Sequence, residues 1–167
     1  VCHTSGRELP LAFRAWVAAQ RHMGFEMDPR ELSPSDKVLL KAVTNWWKEN
    51  REWMKDANIL RLPCVDKSIT AEIQINSSEN HFVVFAGQNA MSEFSSPVPL
   101  VLSGLDSMAM YNVSLYNKNH INSLGKSNGG LLQKTLKLSG QFLMNHGLQL
   151  PKAFPASMMV IEGDKAA

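Results

Sequence analysis

Residues 69 to 86, with the sequence ITAEIQINSSENHFVVFA, decide the fold class. Apolar and polar side chains alternate from Ile69 to Asn76, which is the pattern of a half-exposed β-strand. A cluster of turn-forming residues follows from Ser77 to Asn80. The segment from His81 to Ala86 then predicts a second, more buried strand. We therefore expect a β-sheet built from short strands.

Further short strands are predicted towards the C-terminus, at Val98–Leu102, Met110–Tyr116, Leu131–Leu138 and Ser157–Ile161. A short helix is predicted at Gly140–Asn145, ended by Gly147. Short strands at this spacing favour an antiparallel β-sandwich over β-α-β units.

The first 56 residues differ in composition from the rest. Residues 1–56 hold nine basic and eight acidic side chains, whereas residues 57–167, about twice as many, hold eight and seven. All four tryptophans also lie in the first segment. The change predicts an α+β chain with a boundary near residue 57, with helices in residues 1–56 and an antiparallel β domain in residues 57–167.

Two helices are predicted in the first segment. Pro10 suits the first turn of one helix, and Gly24 predicts its end. The second helix has Ser33 as its N-cap, then Pro34, and Asp36 where a carboxylate meets the positive end of the helix.

The tryptophans recur at helical spacing, which is more typical of a packed core than of a sugar-stacking platform. A tryptophan-rich face needs a large partner to cover it. We expect the helix pair to expose an apolar patch at Phe13, Trp16 and Val17.

Composition excludes several classes of protein. Hydrophobic residues make up 44% of the chain and charged residues 19%, which is typical of a folded globular protein. The net charge of +2 is too small for a nucleic-acid partner, and no apolar run is long enough to span a membrane. Cys2 and Cys64 match no zinc pattern, and we expect no metal or other cofactor. As free thiols, the two cysteines favour a reducing, cytoplasmic location.

Catalytic motifs are absent from the sequence. It contains no G-x-S-x-G, P-loop or H-E-x-x-H motif. The segment Asn128–Gly130 is interpreted as a turn. The carboxylates Glu26, Asp28 and Glu31 could in principle serve a glycosidase, but their place after a helix favours capping and solvation.

The opening residues, Val1 to Arg7, form a polar loop that leads directly into a helix. Such a loop is typical of the segment after a strand of a (β/α)₈ barrel, so we expect the chain to begin inside a longer one. On this interpretation His3 and Arg7 lie at a substrate rim. The alternative makes Arg7 a packing or ion-pair residue and His3 an ordinary loop histidine.

The ordered set of motifs resembles the C-terminal part of the microbial α-galactosidases of glycoside hydrolase family 36. The resemblance rests on His3–Arg7, on Met23–Pro29 with Leu32 and Ser33, on Arg61 and Leu62 with Asp66, and on Ser139–Leu148.

The resemblance implies a large enzyme with an N-terminal β-sandwich, a (β/α)₈ barrel and a C-terminal β domain. Such an enzyme hydrolyses terminal α-galactosides of the melibiose and raffinose type with retention. The family's catalytic aspartates lie in Lys-Trp-Asp and Ser-Asp-x-x-Asp motifs, neither of which occurs here. The chain is thus expected to hold two helices that close the barrel and a β domain, without a catalytic residue.

The same resemblance gives His3 and Arg7 a place at the substrate rim or behind it, and implies the rest of the barrel and a homo-oligomer as partners. An alternative is a noncatalytic carbohydrate-binding or oligomerisation β module. The absence of tryptophan from residues 57–167 disfavours carbohydrate binding.

Overall fold

The computed structural model describes residue 6 and residues 8–124 and 130–166. It contains four α-helices and six β-strands in these ranges. The helices are α1 (Leu11–Ala19), α2 (Pro34–Met54), α3 (Gly130–Gln133) and α4 (Gly140–Asn145). The strands are β1 (Asn58–Leu62), β2 (Ile69–Ile75), β3 (His81–Gln88), β4 (Met110–Leu115), β5 (Leu136–Ser139) and β6 (Ser157–Lys165).

All six strands form one antiparallel sheet in the order β1-β2-β3-β6-β4-β5. The turn after β2 joins it to β3, so that Ile75 lies opposite Phe82. The C-terminal strand β6 enters between β3 and β4 and is therefore a central strand. The predicted antiparallel β domain is confirmed in this form.

The larger core lies on one face of the sheet. Ile73, Phe82, Val84 and Ile161 are fully buried there, under loops that contribute Leu102 and other apolar residues. Within the described residues this cover is loops and short helices, so the sandwich predicted from the sequence is a single sheet.

The predicted strand at Val98–Leu102 is wrong. This segment makes a single bridge, between Leu100 and Leu148, in place of a strand. Pro97 and Pro99 explain the difference, because a proline has no N–H to donate to a sheet. The strand predicted at Leu131–Leu138 is also shorter than expected, since its first residues belong to α3 and only its end belongs to β5.

Helices α1 and α2 cover the other face of the sheet. Trp16 and Trp46, each 1% exposed, pack in one cluster with Val83, Phe85 and Val160. The expectation that Trp16 awaits a partner is therefore wrong, because the sheet of the same chain already covers it. Val17 alone of that trio is clearly exposed, at 41%.

The N-terminus of α2 matches its prediction. The Ser33 hydroxyl accepts a hydrogen bond from the Asp36 amide at 3.1 Å, and the Asp36 carboxylate accepts one from the Ser33 amide at 3.4 Å. This reciprocal capping box satisfies two amides that the helix itself leaves unpaired. Helix α1, in contrast, ends at Ala19, before the expected stop at Gly24. The domain boundary near residue 57 stays a prediction; α2 ends at Met54 and β1 begins at Asn58.

Candidate functional site

His3 and Arg7, the site residues predicted from the sequence, lie outside the described residues. Gly6 between them is described; it is exposed and has a φ of 64°, a left-handed turn conformation that glycine adopts readily. The roles of His3 and Arg7 stay predictions. The candidate site in the described part of the chain is the interface between the helix pair and the sheet, together with a groove beside it.

The centre of the interface is a cluster of aromatic rings. The Trp16 and Trp46 rings meet edge to face, with centroids 5.4 Å apart, and Trp46 meets Phe85 in the same way at 5.8 Å. Tyr116, at the end of β4, packs edge to face against Trp16 at 5.9 Å. Edge-to-face pairs are favourable beyond the area they bury. The rings therefore hold α1 and α2 in a fixed position on the sheet.

Each buried indole of this cluster donates one hydrogen bond. Trp46 donates from Nε1 to Oε1 of Glu162 at 2.6 Å, and Trp16 donates to Nδ1 of His120 at 3.2 Å. The second contact requires Nδ1 of His120 to be unprotonated, and burial lowers the pKa of that histidine accordingly. Neither contact has a local signal in the sequence, because the partners are more than 100 residues apart.

Glu162 is the unusual carboxyl group of the interface. It is partly buried on β6, on the face that carries the helices, where Val160 and Met158 precede it at the two-residue period. Burial raises the pKa of Glu162, and the Trp46 hydrogen bond only partly opposes that effect. A carboxyl group with a raised pKa is a candidate functional group. Sequence reasoning missed Glu162 because the residue lies within a strand and matches no motif.

A second polar network joins α1 to β2. Arg21 makes a bidentate ion pair with Glu72, with N–O distances of 2.7 and 2.9 Å. Gln74 is fully buried and donates to the Gln20 carbonyl oxygen at 3.0 Å and to Glu72 at 2.8 Å. These contacts explain why Gln74, expected to face solvent, is buried, whereas Thr70 on the same side of β2 is exposed.

The carboxylates considered as glycosidase candidates have structural roles or no described partner. Asp28 caps a short 3₁₀ turn at Pro29–Glu31 and binds the Arg30 guanidinium, which lowers the pKa of Asp28. Glu26 and Glu31 are exposed. Capping, as inferred from the sequence, is confirmed for Asp28.

Asp66 is a buried carboxylate whose hydrogen bonds connect two loops. Its two oxygens accept hydrogen bonds from the Ser68 amide and hydroxyl, at 2.9 and 2.6 Å, and from the Ser92 hydroxyl at 2.5 Å. Burial alone would raise the pKa of Asp66, but these hydrogen bonds outweigh it and the pKa is lowered. The carboxylate therefore fixes the loop before β2 to the loop after β3.

A groove lies beside α2, between this helix and the segment that precedes it. Its volume is about 530 Å³, and its lining includes Phe25, Met27, Leu32 and Leu40. Phe25 is 49% exposed, and Val38 on the adjoining surface of α2 is 71% exposed. The groove is therefore apolar and open, and Leu32 and Leu40 of its lining also belong to the cluster on the sheet.

Two further findings concern metal binding and membrane insertion. Among residue 6 and residues 8–124 and 130–166, no group of three or more histidine, cysteine or carboxylate side chains could hold a metal ion. In the same ranges no helix is long and apolar enough to cross a membrane. Cys64 is a half-buried free thiol, and burial raises its pKa; Cys2 lies outside the described residues.

The described residues form an antiparallel β domain with a helix pair packed on its sheet. The chain belongs to glycosyl hydrolase family 36, because the model of that family's C-terminal domain matches residues 69–166. An alpha-galactosidase from Escherichia coli is 25% identical over 171 residues, which cover 99% of this chain and 24% of the relative.

Solved structures share the fold. The galactosidase domain of an alpha-galactosidase–sucrose kinase superimposes with a TM-score of 0.79 at 19% identity, over 98% of this chain and 21% of that one. A family 36 alpha-galactosidase from Geobacillus stearothermophilus, in complex with raffinose, gives 0.78 at 19% identity, over 98% and 20%. An alpha-galactosidase from Lactobacillus brevis gives 0.76 at 16% identity, over 97% and 21%. The chain thus spans about a quarter or less of the length of these relatives.

Proposed function

We propose that this chain is the C-terminal part of a retaining α-galactosidase that hydrolyses terminal α-galactosides of the melibiose and raffinose type. The observation that carries the proposal is the match of residues 69–166 to the C-terminal domain of family 36. The similarity to the Escherichia coli alpha-galactosidase over 99% of the chain supports the same activity for the parent protein. The raffinose bound in the Geobacillus relative supports the substrate class.

In this proposal the segment is structural, and the chain alone is inactive. Retaining glycosidases need two carboxyl groups on opposite sides of the scissile bond, about 5 Å apart. Asp28 and Asp66 are each engaged in local hydrogen bonds, and Glu162 contacts Trp46 under the helix pair. The catalytic groups would then belong to the part of the parent that precedes this chain. An assay of the purified chain against an aryl α-galactoside tests this directly.

Helices α1 and α2 would close the catalytic barrel with the surface that carries the groove at Phe25 and Met27. The tryptophan-rich side is unavailable, because Trp16 and Trp46 are already buried on the sheet. The groove at Phe25 and Met27, with Val38 beside it, is an apolar surface that stays open on the helix pair. Because the relatives are four to five times longer than this chain, the occupant would be the preceding barrel.

A matched pair of substitutions tests the docking surface. Val38 on α2 and Val65 before β2 are similarly exposed, at 71% and 66%. In the isolated chain, Val38→Asp and Val65→Asp should each change the free energy of unfolding by less than about 0.5 kcal/mol, as exposed substitutions do. In the parent enzyme only Val38→Asp would bury an unpaired charge, at a cost of about 3 kcal/mol or more. Equal effects of the two substitutions on the parent would contradict the assignment.

His3 and Arg7 would then support the active site of the parent from a loop on the catalytic face of the barrel. An arginine presents a planar pair of donors that lysine cannot reproduce. In the parent, Arg7→Lys should lower kcat/KM at least tenfold, about 1.4 kcal/mol of transition-state stabilisation, without lowering Tm. A lowered Tm with unchanged kinetics would instead give Arg7 a packing role.

We also propose a cytoplasmic location and a homo-oligomeric parent. The half-buried free thiol of Cys64 supports the first. The second rests on the family resemblance; the open groove at Phe25 and Met27 bears on self-association of the isolated chain, because the barrel would cover it in the parent. Sedimentation of the isolated chain and of the parent separates association through this groove from true oligomerisation of the enzyme.

A further inference from the structure

The carboxyl group of Glu162 lies at the contact between two parts of the fold. Its strand, β6, is central in the sheet, and the residue stands opposite Val83 on β3 and Ser114 on β4. Its hydrogen-bond donor, Trp46, belongs to α2 and is 1% exposed. The contact therefore joins the helix pair directly to the middle of the sheet.

Two of the charged groups that face Glu162, Glu49 and Asp164, oppose its ionisation, whereas His81 favours it. From α2 it faces Glu49, from the end of β4 it faces Tyr116, and from its own strand it faces Asp164. From β3 it faces His81, whose Nδ1 is 2.7 Å from Asp164 and whose Nε2 is buried without a hydrogen-bond partner. No lysine or arginine forms an ion pair with Glu162 among the residues that the structure describes.

The two protonation states of Glu162 therefore differ in their effect on the interface. An ionised carboxylate here is poorly solvated and receives one hydrogen bond, which does not replace the water it has lost. A neutral carboxyl group still offers an oxygen to the Trp46 indole, and its desolvation costs much less. Protonation thus favours the docked arrangement of α1 and α2.

We propose that Glu162 is a proton-dependent switch of the helix–sheet interface: its neutral form holds α1 and α2 on the sheet, and its ionisation weakens that contact. The raised pKa of Glu162 fixes the direction. Its stabilising contribution is complete below the unperturbed value of 4.5 and is lost as the pH rises through the raised value.

The test uses Glu162→Gln in the full chain, because glutamine keeps the shape and an acceptor oxygen for Trp46 but carries no charge at any pH. The matched control is Glu26→Gln, which removes an exposed charge that is not among the groups facing Glu162. Urea unfolding is followed by tryptophan fluorescence, which reports on the helix pair because all four tryptophans lie there.

Glu162→Gln should have a higher urea midpoint than the wild type at about pH 8, and this difference should shrink as the pH falls to about 5. At the higher pH, the backbone amide hydrogens of α1 and α2 should exchange with solvent faster in the wild type than in Glu162→Gln. The ratio of the two rates should be roughly tenfold for each unit by which the pKa of Glu162 is raised. Amides of the β3–β6 ladder should exchange equally in both. A difference that stays constant with pH, or one that Glu26→Gln reproduces, would overturn the proposal.

A second variant keeps the test decisive if Glu162→Gln folds poorly. Trp46→Phe retains an aromatic ring but removes the indole donor, which is the hydrogen bond that favours the ionised form. The pH dependence of the urea midpoint should therefore move to higher pH in Trp46→Phe. An unchanged pH dependence would show that the titration belongs to another group.

Discussion

The packing of Gly163 against Phe82 gives the sharpest test of the core. Gly163 is on the central strand β6, directly opposite Phe82 on β3. A Cβ atom at Gly163 would overlap the Cζ and Cε1 atoms of the Phe82 ring and lie 2.7 Å from its Cε2. Phe82 is fully buried and packs against Tyr111 with ring centroids 5.5 Å apart, so the ring has little room to move. The methyl group that Gly163→Ala adds therefore pushes the Phe82 ring against the Tyr111 ring.

The expected loss in the free energy of unfolding follows from overpacking of the core. Overpacking of a dense core costs about 1–3 kcal/mol, and we expect the upper end, about 3 kcal/mol, because the obstructing group is a buried ring. For a chain of this size that corresponds to a Tm lower by about 6–12 °C. Urea unfolding followed by circular dichroism measures the change. Gly24→Ala is the control: Gly24 is exposed with no neighbouring atom within 4 Å, so alanine there should not destabilise the chain.

A double-mutant cycle ties the cost to the Phe82 ring. Phe82→Leu makes space at the point of contact, so it should cost less in the Gly163→Ala background than in the wild type. The coupling between the two positions should be about 0.5–3 kcal/mol. A Gly163→Ala chain as stable as the wild type, or equal costs of Phe82→Leu in both backgrounds, would refute the reasoning.

Three further predictions concern the rest of the fold. Ser33→Ala removes the N-cap of α2 and should lower the free energy of unfolding by about 1 kcal/mol, read from the urea midpoint; no change would mean that the capping box is dispensable. Asp66→Asn should destabilise the chain at neutral pH, and the difference should shrink as the pH falls from the unperturbed value of 3.8 through the lowered pKa, because Asp66 is then protonated in the folded state; a difference that is independent of pH would contradict this. Deletion of residues 1–56 should uncover Val83, Phe85 and Val160, so the remaining β domain should bind a hydrophobic dye more strongly than the full chain; equal dye binding would show that the helices are not their cover.

Local signals in the sequence predicted most of the secondary structure. The alternation at Ile69–Ile75 and the Ser33–Pro34–Asp36 start of α2 are both found in the structure. Helix α4 at Gly140–Asn145 also has the predicted bounds. Each of these features depends on residues within a few positions of one another, which is the range over which a single sequence is informative.

The sequence failed where distant segments decide the outcome. It could not show that Gln74 on the polar side of β2 would be buried, because Gln20 and the residues beside it, which cover Gln74, lie more than 50 residues away. It likewise assigned Trp16 to a missing partner, when the partner is the sheet of the same chain. The Trp46–Glu162 contact, separated by 116 residues, had no local signal at all. Periodicity identifies an apolar face but does not identify what covers it.

The most direct test of the central claim compares the isolated chain with its parent for hydrolysis of an aryl α-galactoside. The parent should turn over the substrate with retention at the anomeric carbon, and the isolated chain should release no more product than a heat-inactivated sample. Saturable turnover by residues 1–167 alone would contradict the account, and so would a parent protein that hydrolyses no α-galactoside.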